Sequence, residues 1–188
     1  MDVELTVAPR ELILGGQRSG KSRRAELLAR VWLAQSSQNR AVLIATGQPH
    51  DTEMRERIAR HQRDRAERVP GLGTIEEPLH LDRAITEHST PATLLVVDCL
   101  TLWLTNHLMP ADGTASEPPI EALLLALRAA AGPVVLVGNE IGLGVIPMGR
   151  EVRHFVDALG RLNQEVAAIC ERVSFMAAGL PLTLKGHA

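Results

Sequence analysis

The chain contains 188 residues, of which 45% are hydrophobic and 22% are charged, and its formal net charge is −2. This length and this balance are typical of one globular domain and exclude an intrinsically disordered chain. The lack of a basic excess, together with only two Trp, two Phe and no Tyr, argues against a dedicated nucleic-acid binder or a protein of anionic membrane surfaces.

Short apolar runs alternate with longer segments of helical period along the chain. In chain order, we predict a strand at 11–14, a helix at 22–35, a strand at 41–46, a charged helix at 51–67, a short strand at 73–76, a helix at 81–88, a strand at 93–98, a helix at 100–108, a flexible loop at 109–119, a helix at 120–131, a strand at 133–138, a helix at 149–170, a strand at 173–178 and an edge extension at 182–185. This alternation predicts βαβ units with right-handed crossovers around a mostly parallel sheet. We therefore expect a three-layer α/β fold, with residues 1–188 forming one domain and residues 1–10 an N-terminal extension.

The most informative motif is a glycine-rich loop between the first predicted strand and the first predicted helix. It satisfies the pattern G-x-x-x-x-G-K-[ST] with Gly15, Gly16, Gln17, Arg18, Ser19, Gly20, Lys21 and Ser22. In this pattern the glycines let backbone N–H groups turn toward an anion, the lysine reaches the β- and γ-phosphates, and the serine hydroxyl ligates Mg²⁺. A tight βα turn with a surface lysine would give the same letters, but the strand–loop–helix context favours a nucleoside triphosphate site.

Small and polar residues follow two other predicted strands, at the edge where a parallel sheet binds ligands. Asp98 ends the strand TLLVVD, and a carboxylate at this position is typical of the second Mg²⁺ contact in a P-loop protein. The alternative role of such an Asp is to cap the following helix. Thr46, Gly47 and Gln48 follow the second strand, and we expect them beside the loop.

The charged helix predicted at 51–67 carries Arg57, His61 and Arg65 at four-residue spacing, so these residues share one face. Two flanking guanidinium groups would lower the pKa of the histidine and keep it neutral and nucleophilic near neutral pH. They would also bind phosphate. The alternative is a solvated basic face without a chemical role.

A third cluster follows the strand predicted at 133–138. Asn139 and Glu140 come directly after this strand, and the glycines behind them indicate a backbone that lies close to a bound group. A tight turn alone would give the same composition. Arg150 and Arg153, one helical turn apart, are candidates for holding a phosphate.

The two cysteines, Cys99 and Cys170, lie far apart in apolar surroundings. Two thiols make no disulfide framework, so a reducing compartment is the simpler interpretation, and a bridge between them is the alternative. The N-terminal residues lack the basic start and apolar core of a signal peptide. No apolar run approaches the ~18 residues of a membrane span. We expect a cytoplasmic protein without a membrane span.

Four segments of the chain resemble one enzyme family, in the same order. They are GGQRSGKSRRAE, TGQPHDTEMRERIARHQRDR, VVDCLTLWLTN and GNEIGLGVIPMGREVRHFVDALGRLNQEVA. The family is the bifunctional adenosylcobinamide kinase/adenosylcobinamide-phosphate guanylyltransferase of cobalamin biosynthesis. The resemblance covers residues 12–185, and its most specific parts are the histidine-containing helix and the NE-x-G-x-G-x-x-P segment, which generic P-loop kinases lack.

The resemblance implies a RecA-like P-loop domain that assembles as homo-oligomers, such as trimers. It also implies two reactions on a corrinoid substrate. The aminopropanol hydroxyl of adenosylcobinamide is first phosphorylated with ATP or GTP. GMP is then transferred from GTP to that phosphate through a covalent guanylyl-histidine, with release of pyrophosphate.

The resemblance also assigns roles to individual residues. The nucleophile falls on His61, and Lys21 is the second catalytic residue. The implied nucleotide contacts outside the glycine-rich loop are Thr46, Gly47, Gln48, Gln62, Arg63, Asp64, Arg65, Glu76 and Asp98. The implied Mg²⁺ ligands are Ser22 and Asp98. No nucleic-acid partner is implied.

Two other functions are compatible with the nucleotide site. The first is a simple P-loop kinase of a small metabolite, which needs no covalent step. The second is a nucleotide-binding switch or regulatory module, which has no need of the histidine cluster. Labelling with GTP distinguishes these from a guanylyltransferase.

Overall fold

The computed structural model describes residues 5–49 and 52–187, apart from the side chains of Glu53, Met54, Arg57 and His61. Within this part of the chain there are seven strands and six helices. In chain order they are β1 (Arg10–Gly15), α1 (Lys21–Gln35), β2 (Arg40–Ala45), α2 (Thr52–Arg68), β3 (Leu72–Glu76), α3 (Leu81–His88), β4 (Thr93–Asp98), α4 (Leu100–Leu108), α5 (Ile120–Ala129), β5 (Val134–Val137), α6 (Arg150–Ile169), β6 (Arg172–Ala177) and β7 (Leu180–Lys185). Each predicted element is present, and the ends differ from the predicted ones by no more than two residues.

The strands form one sheet in the order β3-β2-β4-β5-β1-β6-β7. Neighbouring strands are parallel except for β6 and β7, which pair antiparallel. These two strands are joined by Ala178 and Gly179, whose φ angles of 52° and 81° are those of a type I′ hairpin turn. The predicted α/β fold with a mostly parallel sheet is confirmed, and the predicted edge extension is a separate antiparallel strand.

Helices cover both faces of the sheet, which gives the three predicted layers. In β1 the side chains of Leu12 and Leu14 pack with those of α3, α4, α5 and α6, whereas Ile13 packs with those of α1. Full burial of each such side chain contributes about 1.5–3 kcal/mol. Because both faces of β4 are covered, its successive positions favour apolar residues, which explains the uninterrupted apolar run in this strand.

A buried carboxylate joins three elements that support the glycine-rich loop. Glu11 of β1 is fully buried, and it accepts hydrogen bonds from Arg24 of α1 at 3.1 Å and from Arg172 of β6 at 3.2 Å. Ser174 of β6 donates a third hydrogen bond at 2.9 Å. A buried charge is tolerated when it is paired in this way, and the pairing ties β1, α1 and β6 together.

Cys99 and Cys170 are both free and buried, in agreement with the interpretation of two reduced thiols. Burial raises the pKa of Cys170 to about 12, so this thiol is neutral at physiological pH. Among the residues that the structure describes, no helix is both long enough and apolar enough to cross a membrane.

Candidate functional site

A cleft of about 440 Å³ opens at the C-terminal edge of the sheet, between the glycine-rich loop, α2 and the ends of β2, β4 and β5. The predicted site residues that line it are Gln17, Arg18, Ser19, Gly20, Lys21, Ser22, Gly47, Gln62, Asp64, Arg65, Glu76 and Asp98. The predicted residues that do not line it are Gly15, Gly16, Thr46, Gln48 and Arg63. The cleft therefore brings together the glycine-rich loop, α2 and the ends of the strands, which the sequence predicted to lie at one edge of the sheet. Contact of these residues with a nucleotide stays a prediction.

Residues 15–22, hereafter the phosphate loop, depend on glycine at two points. Gly15 has a φ of +150°, and a Cβ there would lie 2.5 Å from the carbonyl oxygen of Met176 in β6. Gly20 has a φ of +104°, and its Cβ would lie 3.2 Å from Cα of Gly179 in the β6–β7 turn. The N–H of Gly179 also donates to the carbonyl oxygen of Ser19 at 3.0 Å. The β6–β7 hairpin thus supports the loop from behind.

The lysine of the phosphate loop lies inside the cleft. Lys21 is 8% exposed, and its Nζ donates to the carbonyl oxygens of Gly15 at 2.9 Å and Gly16 at 2.6 Å. The hydroxyl of Ser19 is buried without a hydrogen-bond partner among the described residues, and it lines the same cleft. With the positive end of the α1 dipole, the ammonium group and this hydroxyl make the loop suited to an anion.

The end of β4 places a carboxylate opposite the loop. Asp98 is half-buried and lies in register with Ala45 of β2 and Val137 of β5. The next residue, Cys99, also lines the cleft. Burial, and then the charge of Asp98, raise the pKa of Cys99 to about 12. This thiol is therefore neutral and is no candidate for a nucleophile.

The hydroxyl of Thr46 makes hydrogen bonds to the backbone of Cys99, and its predicted contact with a nucleotide stays a prediction. Thr46 is fully buried, and its hydroxyl donates to the carbonyl oxygen of Cys99 at 2.7 Å and accepts from the N–H of Cys99 at 2.8 Å. It therefore links the end of β2 to the end of β4 instead of facing the cleft. Sequence reasoning missed Asn106 of α4, whose amide donates to the carbonyl oxygens of Thr46 at 2.8 Å and Pro78 at 3.0 Å. The only sequence signal for Asn106 is a polar residue in the apolar helix LTLWLTNHL.

The wall opposite the phosphate loop is formed by α2. Gln62, Asp64 and Arg65 line the cleft, and burial lowers the pKa of Arg65 while the charges of Asp98 and Glu26 oppose this shift. Arg65 therefore lies near the carboxylates of Asp98 and Glu26. His61 belongs to α2, but its side chain lies outside the described part, so its predicted pKa and its nucleophilic role stay predictions.

A carboxylate of α1 and an arginine of α2 join the two walls, and sequence reasoning missed both. Glu26 Oε2 lies 2.6 Å from Arg68 Nη1, and Arg68 Nη2 lies 3.0 Å from Asp64 Oδ2. Burial raises the pKa of Glu26, and the charges of Arg68 and Arg65 act in the opposite direction. Both Glu26 and Arg68 line the cleft.

The segment after β5 contributes one residue to the cleft. Asn139 lines it, and its backbone is held by Thr101, whose hydroxyl accepts from the N–H of Asn139 at 2.9 Å. Glu140 instead accepts from the N–H of Gly142 at 2.8 Å. Arg153 does not line the cleft, and its guanidinium donates to the carbonyl oxygens of residues 147 and 148 in the segment before α6; phosphate binding by this residue stays a prediction.

Comparison with known proteins identifies the family. The family model described as cobinamide kinase / cobinamide phosphate guanyltransferase matches residues 11–184. The chain is 49% identical over 179 residues, 95% of its length and 98% of the relative's, to the bifunctional adenosylcobalamin biosynthesis protein CobP of Pseudomonas aeruginosa. It is 36% identical to the bifunctional adenosylcobalamin biosynthesis protein CobU of Escherichia coli, over 93% of this chain and 98% of the relative. The protein of the same name from Salmonella typhimurium is 34% identical over the same shares. With its phosphate loop, its α2 wall and this match over nearly the whole chain, the protein belongs to the cobinamide kinase / cobinamide phosphate guanyltransferase family.

Proposed function

We propose that this enzyme phosphorylates adenosylcobinamide with a nucleoside triphosphate and then transfers GMP from GTP to adenosylcobinamide phosphate, which gives adenosylcobinamide-GDP. The observation that carries the proposal is one cleft with two chemically different walls. The phosphate loop forms one wall, and the helix that contains His61 forms the other. The family description and the names of the relatives support both activities.

In the kinase step, the aminopropanol hydroxyl oxygen of the corrinoid attacks the γ-phosphorus and loses its proton to solvent. The bond from the γ-phosphorus to the bridging oxygen breaks, and the nucleoside diphosphate leaves. Lys21 and the N–H groups of the phosphate loop stabilise the negative charge that develops on the transferred group. The buried position of Lys21 supports this role, because charge interactions are stronger where water is excluded.

The donor set of the cleft fits Mg²⁺. Within the described residues there is no cluster of three or more His, Cys, Asp or Glu side chains that would hold a metal. Ser22 and Asp98 both line the cleft and offer oxygen ligands, and Mg²⁺ commonly takes one or two protein oxygens together with substrate phosphates. When bound by these two residues, Mg²⁺ would neutralise charge on the β- and γ-phosphate oxygens.

In the guanylyl step, an imidazole nitrogen of His61 attacks the α-phosphorus of GTP, and the bond to pyrophosphate breaks. The product is a phosphoramidate between His61 and GMP. A phosphate oxygen of adenosylcobinamide phosphate then attacks the same phosphorus, and the phosphorus–nitrogen bond breaks so that His61 regains its electron pair. Arg65 lines the α2 wall, and in this proposal its guanidinium binds a phosphate of the nucleotide.

We also propose that the enzyme works as a homo-oligomer in the cytoplasm. The edge strand β7 exposes Leu180, Leu182 and Leu184 by 71%, 61% and 57%, and their two-residue spacing puts them on one face of the strand. An exposed apolar edge strand is typical of a surface that another chain covers. Two free buried thiols are typical of a reducing compartment.

The experiment that tests the guanylyl step is incubation with α-labelled GTP and Mg²⁺, followed by denaturation. Wild type should retain acid-labile, base-stable GMP, and His61→Ala should retain none, whereas His187→Ala, an exposed control outside the cleft, should label like wild type. Phosphorylation of adenosylcobinamide without labelling would indicate a simple kinase. Nucleotide binding with neither reaction would indicate a regulatory module.

A further inference from the structure

The attachment of α2 to the rest of the molecule depends on charged side chains. Along Thr52–Arg68 none of the described side chains is fully buried, so the described part of this helix presents no buried apolar face of the kind that fixes an ordinary surface helix to a core. Its clearest anchor is at its last residue. Arg68 Nη1 lies 2.6 Å from Glu26 Oε2, and the following residue, Val69, is buried at 3% exposure.

Glu26 lies at the junction between the two walls of the cleft. It belongs to α1, five positions after Lys21, and its side chain is 11% exposed. The carboxylate is therefore fixed relative to the phosphate loop by the same helix that carries the loop lysine. Arg68 is 44% exposed, and its Nη2 pairs with Asp64 of the same helix. Glu26 is therefore the partner that joins Arg68 to the loop side of the cleft.

The helical period relates this anchor to position 61. Positions 61, 65 and 68 of α2 are separated by four and three residues, so they lie along one side of the helix. Fixing the position of Arg68 therefore also restrains the rotation of the helix about its axis and the position of the His61 backbone relative to the loop. A displacement of about 1 Å at a reacting group can slow a reaction about 10²-fold.

We propose that Glu26 is a positioning residue for guanylyl transfer: by pairing with Arg68, it holds α2, and with it the backbone of His61, at the distance from the phosphate loop that attack on the α-phosphate requires. This inference rests on the proposed function, because it assigns the nucleophile to α2. The kinase step needs the phosphate loop and not the nucleophile. Loss of the ion pair should therefore affect the two steps unequally.

The test compares Glu26→Gln, Arg68→Gln and the double variant, with adenosylcobinamide phosphorylation and single-turnover labelling by GTP measured separately. Each single variant should label about 10-fold more slowly, and the double variant should be no slower than either one, because both changes remove the same interaction. Phosphorylation should fall much less. Glu171→Gln is the matched control, since Glu171 pairs with Arg10 at 3.7 Å and neither residue lines the cleft.

Three results would overturn the inference. If Arg68→Gln labels as fast as wild type while Glu26→Gln does not, Glu26 acts on the nucleotide directly. If both steps fall by the same factor in every variant, the pair supports the fold in general. Should the wild type take no label, the proposed nucleophile is wrong and the positioning role falls with it, and hydrogen exchange then tests only whether the ion pair anchors α2. The amides of α2 should exchange faster in Glu26→Gln than in wild type or Glu171→Gln, and unchanged exchange would refute the anchor.

Discussion

The phosphate loop and α2 face each other across the cleft, but different interactions hold them in place. Backbone geometry and close packing fix the loop: Gly15 lies against Met176, Gly20 lies against Gly179, and the ion pairs of Glu11 lie beneath it. The described side chains of α2 are half-buried or exposed, and the pair between Glu26 and Arg68 joins it to the loop side. Elements with few buried apolar contacts open locally at a lower free-energy cost than core elements.

This contrast fits the two reactions. Charge on a transferred phosphoryl group is best stabilised by groups that are already in position, such as the loop N–H groups and Lys21. The covalent nucleophile that we propose on α2 would need to be near the α-phosphate in one step and to release GMP in the next. The following four predictions test the contrast, from the largest expected effect to the smallest.

Gly15→Ala should distort the phosphate loop, which backbone geometry and close packing hold in place. A Cβ would lie 2.5 Å from the carbonyl oxygen of Met176 at a φ of +150°, and a strained backbone of this kind costs about 1–3 kcal/mol before the clash is added. We expect both reactions to be lost and the free energy of unfolding in urea to fall. In Gly160→Ala, where a Cβ meets nothing within 4 Å, stability should instead rise by about 0.4–1 kcal/mol. Normal activity of Gly15→Ala would show that backbone geometry does not fix the loop.

Lys21→Ala should reduce kinase activity without a comparable loss of stability. Removal of one preorganised charge-stabilising group costs roughly 10²–10³-fold in rate. The matched control is Lys185→Ala, because Lys185 donates to the carbonyl oxygens of Ala167 and Ala168 at the end of α6 and does not line the cleft. Phosphorylation rates under saturating nucleotide measure the difference. If phosphorylation slows equally in the two variants, Lys21 has no specific role in the kinase reaction.

Thr46→Val should weaken the connection between β2 and β4. The change leaves the buried N–H of Cys99 without its acceptor at 2.8 Å, and an unsatisfied buried group costs about 1–3 kcal/mol. Because Asp98 directly precedes Cys99, we expect the kinase to require more Mg²⁺ for half-maximal rate. Thr46→Ser keeps the hydroxyl and should restore the wild-type requirement.

The control for Thr46→Val is Thr86→Val. Thr86 is exposed, and its hydroxyl donates to the carbonyl oxygen of Asp82 within α3. Its loss should change stability by less than about 0.5 kcal/mol. An unaltered Mg²⁺ requirement in Thr46→Val would show that this hydroxyl does not position Asp98.

At neutral pH the two thiols should give the smallest effect, because their ionisation changes stability only at alkaline pH, where we expect a decline. Both folded pKa values are raised to about 12, whereas the thiols of the unfolded chain ionise above about pH 8.5. The unfolded state therefore binds fewer protons than the folded state above this pH. The stabilising contribution is complete below pH ~8.5 and is lost as the pH rises toward 12, at up to about 1.4 kcal/mol per pH unit for each thiol. Urea unfolding between pH 8 and pH 10 measures the slope, and replacement of both cysteines by alanine should flatten it.

Some of the site could be predicted from the sequence because its signals are local. The phosphate loop is one run of eight residues in which the glycines, the lysine and the serine each have a direct chemical reason. Asp98 is identified in the same way, since it ends a strand that must be buried on both faces. Four ordered segments also predicted the family, which the comparisons confirm.

Other features of the site depend on residues that are distant in sequence. Thr46 and Gly47 are adjacent, and a local pattern does not show which of them faces inward. The structure shows that Thr46 faces inward, because its hydroxyl donates to the carbonyl oxygen of Cys99, 53 residues later. Glu26 and Arg68 are 42 residues apart, and each resembles an ordinary charge on a helix surface until the two helices are seen together.

The sequence by itself determined the alternation of strands and helices, the glycine-rich loop and the family, because hydrophobic period and backbone requirements act over a few residues. Tertiary structure alone decided the strand order, the antiparallel pairing of β7 with β6 and the interactions that hold each wall of the cleft. These depend on hydrogen bonds and ion pairs between distant segments, whose energies exist only when folding has brought the partners together.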